Sequence, residues 1–182
     1  MREDTRTKIQ DVALELFIEQ GYEATSLREI AERLGVTKAA LYYHFKTKDD
    51  IVLSLAERRL SENEALLTWL KEQPKTPETR AELIRRYGEL LLRGDQKDFM
   101  RFMERNQTSM RHHPTVLRMR EVMFALVDEL AEPGDPLTTR IRRSMALFTM
   151  HAGVWLSQND TEHTEDERRE AAMEVALDLL ER

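Results

Sequence analysis

The residues whose types and spacing could do chemistry together lie between Thr25 and Lys48. From Val36 to Thr47 the chain reads Val-Thr-Lys-Ala-Ala-Leu-Tyr-Tyr-His-Phe-Lys-Thr, without one acidic residue. If Leu41 and Phe45 point inward, then Thr37, Lys38, Ala39, Tyr42, Tyr43 and His44 are left outward. Such a face suits the major groove of a nucleic acid duplex. Tyr and Thr hydroxyls reach phosphates, and Thr37 or Ala39 can touch a thymine methyl. Five basic residues (Arg28, Arg33, Lys38, Lys46, Lys48) stand against Glu29 and Glu32, so this segment carries +3 in a chain of net charge −6 and leaves −9 elsewhere. A basic patch on an acidic body can attract DNA at one face and repel it at the others.

Lys48 adds a second signal. A cation in the first turn of a helix opposes the helix dipole. A phosphate docked at that N-terminus would account for it. The alternative is that the lysine is exposed and Asp49 and Asp50 compensate its small cost.

Two short helices must position these residues. Ser26 with Glu29 forms a capping box, and Leu27, Ile30, Ala31 and Leu34 make one apolar stripe. Leu34-Gly35-Val36-Thr37 is a turn of helix-turn-helix length, with a glycine free to take positive φ. Ala31 leaves room for a close helix crossing. An ordinary helical hairpin has the same spacing, and the exposed face is what favours DNA over it.

Apolar spacing is helical nearly everywhere, with no strand alternation and no internal repeat, so an all-α fold of about nine helices is expected. Their approximate spans are 4–20, 25–34, 38–44, 48–73, 78–93, 97–108, 114–131, 137–156 and 165–181. The expected division is a helix-turn-helix domain over 1–48 and a helical body over 49–182. There is no cysteine among the 182 residues, which excludes disulfides, thiolate metal sites and a cysteine nucleophile. The longest stretch without Asp, Glu, Lys or Arg is the 16 residues Ser144–Asn159. That is short of the roughly 20 residues a membrane helix needs, and no signal-peptide pattern opens the chain, so no membrane and a cytoplasmic location are expected. His112, His113 and His151 lack metal-ligand spacing. No phosphate-binding glycine loop or nucleophile motif is present, and neither an enzyme nor a cofactor is expected.

Thr25-Ser26-Leu27-Arg28-Glu29-Ile30-Ala31, then Leu34-Gly35-Val36-Thr37-Lys38-Ala39-Ala40-Leu41-Tyr42-Tyr43-His44-Phe45, then Lys48, resemble the TetR family of bacterial transcriptional regulators. Ala13–Phe17 and Gly21-Tyr22 are similar to that family's first helix and turn, and the match is dense over about Lys8–Leu55. The resemblance implies that 38–44 is a recognition helix. Thr37, Lys38, Ala39 and Tyr43 would approach base edges or flanking phosphates. Tyr42, His44, Lys48, Thr25 and Ser26 would hold phosphates, and Arg28 would reach the groove or a phosphate. It also implies a homodimer that binds a palindromic operator in double-stranded DNA, acts as a repressor and is released by a small-molecule effector. A helical protein-interaction adaptor without ligand response is the alternative.

The body offers two further patterns. Met145 to Leu156 is apolar almost all round, which calls for burial on every side. A dimer interface is expected there, using Ile141, Met145, Phe148, Ala152 and Trp155 with Ala172, Val175 and Leu179. Methionines cluster between Met100 and Met123, including Met110, and methionine adapts to irregular cavities. Phe99, Met103, Met119, Met123 and Phe124 are candidate walls of a hydrophobic ligand pocket, with Trp69, Tyr87, Phe148 and Trp155. His151 is its candidate polar anchor. An ordinary methionine-rich core fits the same pattern.

Overall fold

Capping side chains, glycines and prolines divide the chain. The computed structural model describes residues 2–91, 94–106, 114–156 and 160–181, with side chains described at 5–91, 98–100, 102–106, 114–153 and 160–181. Among the described residues there are nine helices and no strand: α1 (Arg2–Glu19), α2 (Leu27–Leu34), α3 (Lys38–His44), α4 (Lys48–Lys71), α5 (Pro77–Leu91), α6 (Gly94–Arg105), α7 (Pro114–Leu130), α8 (Leu137–Leu156) and α9 (Glu165–Glu181).

The capping box expected at Ser26 and Glu29 forms, and two threonines cap the next two helices. The Glu29 amide donates to Ser26 Oγ at 3.2 Å, and the Ser26 amide donates to Glu29 Oε2 at 2.7 Å. Thr37 accepts from the Ala40 amide at 3.2 Å and Thr47 from the Asp50 amide at 3.1 Å. Pro77 occupies the first position of α5, where its missing N–H costs nothing. The sixth helix departs from expectation. It opens at Gly94, three residues before Lys97, and ends at Arg105, where the Asn106 side-chain Nδ2 donates to the Phe102 carbonyl at 2.8 Å.

The chain forms two units. The first comprises residues 1–60 and 94–118. Ile9, Ala13, Leu16 and Phe17 of α1 pack with Leu27, Ile30 and Ala31 of α2, with Leu41, Phe45, Ile51 and Leu55, and with Phe99 and Phe102 of α6. Ile30 and Leu41 are fully buried, whereas Leu34 and Val36 are half-buried. Each fully buried aliphatic or aromatic side chain contributes about 1.5–3 kcal/mol.

The second unit comprises 61–93 and 119–182. Here α5, α8 and α9 pack on one another through Leu83, Ile84, Tyr87, Ala146, Leu147, Met150, Ala172 and Ala176. The α8–α9 crossing is close. A Cβ at Gly153 would stand 2.6 Å from the Ala172 Cβ. Arg80, 6% exposed, donates to the Leu130 carbonyl at 3.2 Å and pairs with Glu132, while Arg143 binds the same carbonyl and Asp135. These contacts fix the 131–136 turn. No described helix is long and apolar enough to cross a membrane.

Candidate nucleic-acid interface

Gly35, at φ +67, ends α2 in the left-handed region, and the Val36 amide closes the turn on the Ala31 carbonyl at 3.0 Å. The chain then leaves along α3. Leu41 is the only residue of α3 that is fully buried, and Phe45 follows it into the core. The other side of α3 faces solvent. Thr37, Lys38, Ala39 and Ala40 are exposed, Tyr43 is 63% exposed, and Tyr42 and His44 are half-buried. Tyr42, Tyr43 and the small residues beside them leave this side of α3 without an acidic group. The Lys38 ammonium lies 5.4 Å over the Tyr42 ring, and the Lys46 ammonium donates to the Tyr42 carbonyl at 2.6 Å. Lys46 therefore caps the end of α3, a role its position did not announce.

At the start of α2 the two hydroxyl residues differ in exposure. Ser26 is exposed, but Thr25 is 2% exposed, its hydroxyl donates to the Gly21 carbonyl at 2.8 Å and its amide to the same carbonyl at 3.2 Å. Thr25 thus closes the α1–α2 turn. Arg28 pairs with Glu32 at 2.7 Å, with both side chains exposed. Such a pair is weak and exchangeable. The Lys48 ammonium turns inward to the Tyr22 carbonyl at 2.5 Å and the Glu23 carbonyl at 3.3 Å.

In the second unit the Tyr87 hydroxyl meets His151 Nε2 at 2.5 Å and lies 3.8 Å from the Met123 sulfur. Burial pushes the Tyr87 phenol up and the His151 imidazole down, so the pair is held neutral. Of the expected pocket residues the structure brings together Tyr87, Met123, His151 and, at 6.3 Å between rings, Phe148. Trp69 carries Arg86 on its face at 4.1 Å, and Met119 is half-buried. Phe124 is 55% exposed. Phe99 and Met103 belong to the first unit, where Phe99 stacks under the Arg59 guanidinium at 4.4 Å. The Trp155 side chain and the residues Met110, His112 and His113 lie outside the described residues.

Within one chain α8 is covered on one side, and the described residues expected at a dimer interface lie on the other. Ala146, Leu147 and Met150 are buried, but Ile141, Met145 and Phe148 are 54%, 48% and 36% exposed. Their spacing of four and three residues makes one outward stripe. Beside it, Thr149, Ala152 and Gly153 with Ala171, Ala172 and Val175 line a groove of about 470 Å³, rimmed by Asp160, His163, Glu167 and Arg168. That polar rim went unseen in the sequence because it joins a loop to the first turns of α9.

Residues 9–55, the turn and its flanking helices, match the model of bacterial regulatory proteins of the tetR family. A transcriptional regulator of the TetR/AcrR family from Thermobifida fusca is 30% identical, with 96% of this chain and 97% of that one superposed at a TM-score of 0.54. The chain belongs to the TetR family. A TerR/AcrR-family regulator from Aquifex aeolicus, 24% identical, shares the fold over 93% of this chain and 96% of its own at a TM-score of 0.72. An HTH-type transcriptional regulator of Staphylococcus aureus is 26% identical across all of this chain and 99% of its own length. As a TetR-family protein it is a helix-turn-helix transcriptional regulator, and the family is not enzymatic.

Proposed function

We propose that the chain is a cytoplasmic repressor that binds a palindromic operator as a homodimer and leaves it when a small, largely hydrophobic effector binds the helical body. The observation that carries the DNA contact is the acid-free outer face of α3, held by Leu41 and Phe45 on a turn closed by Gly35. Thr37, Lys38, Ala39 and Tyr43 read base edges or adjacent phosphates. Tyr42, His44 and Ser26 hold phosphates, and Arg28 exchanges Glu32 for the groove or a phosphate. The functional boundary of the head falls after residue 48. Two such heads sit about 34–36 Å apart on one face of the duplex, or at a related helical-phase spacing.

The exposed stripe Ile141, Met145 and Phe148 supports the homodimer, with Ala152, Trp155, Ala172, Val175 and Leu179 completing the interface. The neutral Tyr87–His151 pair beside Met123 supports an effector that is mostly apolar with one hydrogen-bonding group. That effector releases DNA only if it binds the DNA-incompetent state more tightly than the competent one. The test is recovery of sheared genomic DNA by the purified protein at about 150 mM salt, where non-specific binding is weak. One enriched palindrome is the expected result. No enrichment from protein purified free of small molecules would overturn the operator reading and leave a helical adaptor.

A further inference from the structure

Two methionine side chains end on one glycine of α5. A Cβ at Gly88 would stand 2.7 Å from Met150 Cε and 2.9 Å from Met173 Cε. Glycine inside a helix weakens it relative to alanine. Here the missing Cβ is what admits both methyl groups between α5, α8 and α9. The two methionines differ in exposure. Met150 is 2% exposed. Met173 is half-buried and, with Gly88, lines the bottom of an open groove of about 520 Å³ between α5 and α9. The exposed edges of this groove mix charges, with Arg85 and Glu89 on α5 facing Arg169 and Glu170 on α9. Next to Gly88 and Met150 in sequence are Tyr87 and His151, whose hydroxyl and Nε2 meet at 2.5 Å.

We propose that the groove between α5 and α9 is the entrance to the Tyr87–His151 pair for an uncharged, mostly apolar effector, and that the end of Met173 lying on Gly88 is its stopper. The inference rests on the reading that this pair receives the effector. Methionine suits a stopper because its unbranched side chain turns about three bonds at low cost, and the groove gives it volume to turn into. With Met173 turned out, the space over Gly88 is open because no Cβ fills it. The end of Met150 is the inner obstacle and is equally able to repack. A β-branched residue at 173 would be stiff and would have no such motion. The groove also selects the class of molecule. A charge of either sign meets a like charge at the mixed edge and loses hydration over a floor of glycine and methionine. The groove-lining residues Arg169, Met173 and Leu177 follow one another at intervals of four, whereas Arg168, Ala172 and Val175 turn to the other groove of α9. A second copy seated on that other face leaves this entrance to solvent.

The test uses N-phenyl-1-naphthylamine, an uncharged apolar dye that brightens on leaving water, and the full chain. Because the chain has no cysteine, Met173→Cys carries the sole thiol and can be blocked with a bulky maleimide. Asp166→Cys, in the exposed first turn of α9, carries the same label as a control. Circular dichroism confirms that each variant keeps its helices, and stopped-flow fluorescence gives the association and release rates. Met173→Cys, which shortens the stopper, should raise the association rate about tenfold, and its maleimide adduct should lower it about tenfold below the wild type. The Asp166 adduct should change neither rate, and bound dye should slow the labelling of Met173→Cys. Tyr87→Phe should speed release and leave association unchanged. Association rates indifferent to both changes at Met173, with release still faster in Tyr87→Phe, overturn the entrance and keep the effector reading. Rates that follow Met173 with release indifferent to Tyr87 seat the dye in the groove itself and overturn the effector reading with the entrance. A wild type that binds no dye overturns both.

Discussion

Tyr43 shows most directly how a side chain can matter to DNA and not to folding. Its ring is 63% exposed and packs edge-on against His44 at 5.3 Å. Truncation to alanine removes little buried area, so stability should change by no more than about 0.5 kcal/mol. Operator affinity should fall by about 1–3 kcal/mol if the ring reads a base edge. Urea unfolding and operator titration of Tyr43→Ala check the two numbers together, and equal small effects on both would remove Tyr43 from the interface. His151 carries a prediction of a different kind. Burial lowers its pKa, so the folded state keeps it neutral while the unfolded chain takes up a proton near the ordinary value of about 6.5. In the window between these two values the unfolded state binds more protons, and stability rises with pH. The contribution of His151 is therefore complete above about 6.5, lost as pH falls through the window, and constant below the folded value. Urea unfolding from pH 7.5 down to 5 should show a steeper fall for the wild type than for His151→Gln, and parallel curves would show that burial exacts no such cost.

At the scale of elements, the α2–turn–α3 unit depends on one backbone conformation. Gly35 sits at φ +67 with no heavy atom near its missing Cβ, so the obstacle to a side chain there is the dihedral alone. Gly35→Ala should cost about 1–2 kcal/mol of stability, read by urea unfolding. An unchanged midpoint would mean that the turn relaxes to another geometry, which an altered α3 exchange pattern would reveal. This turn was legible in the sequence because each signal was local: a capping box, an apolar stripe, a glycine. The same holds for most helix spans and for the buried pair Leu41 and Phe45. What was not legible depended on distance along the chain. Thr25 looks like a hydroxyl at a helix start, and only the fold shows it closing on Gly21. Lys48 looks like a cation at a helix start, and only the fold shows its ammonium on the Tyr22 carbonyl, 26 residues away. The methionine-rich stretch looked like a single wall, yet Phe99 and Met103 fall in one unit and Met119 and Met123 in the other. Periodicity says which face of a helix is apolar and not which neighbour covers it.

For the whole molecule, the decisive question is what covers the outer stripe of α8. Ile141, Met145 and Phe148 leave about half, half and a third of their surface in water, and Val175 of α9 is 52% exposed. The adjacent groove has a floor of small residues, Ala152, Gly153, Ala171 and Ala172. Protruding stripe and small-residue floor on one face are self-complementary, which is what a two-fold interface requires, because each copy must offer both knob and hole. The stripe contributes little to the fold of one chain, so charging it should leave the monomer folded. Phe148→Glu combined with Ile141→Glu is therefore expected to shift sedimentation from dimer to monomer with helical circular dichroism retained. Operator binding should then weaken steeply, because two heads on one palindrome gain from being joined, by a factor of about 100 or more. A charged variant that still sediments as a dimer would place the interface elsewhere on the body. A monomer that binds the palindrome as tightly as the wild type would show that each half-site is read alone, and the symmetry of the operator would then have no counterpart in the protein.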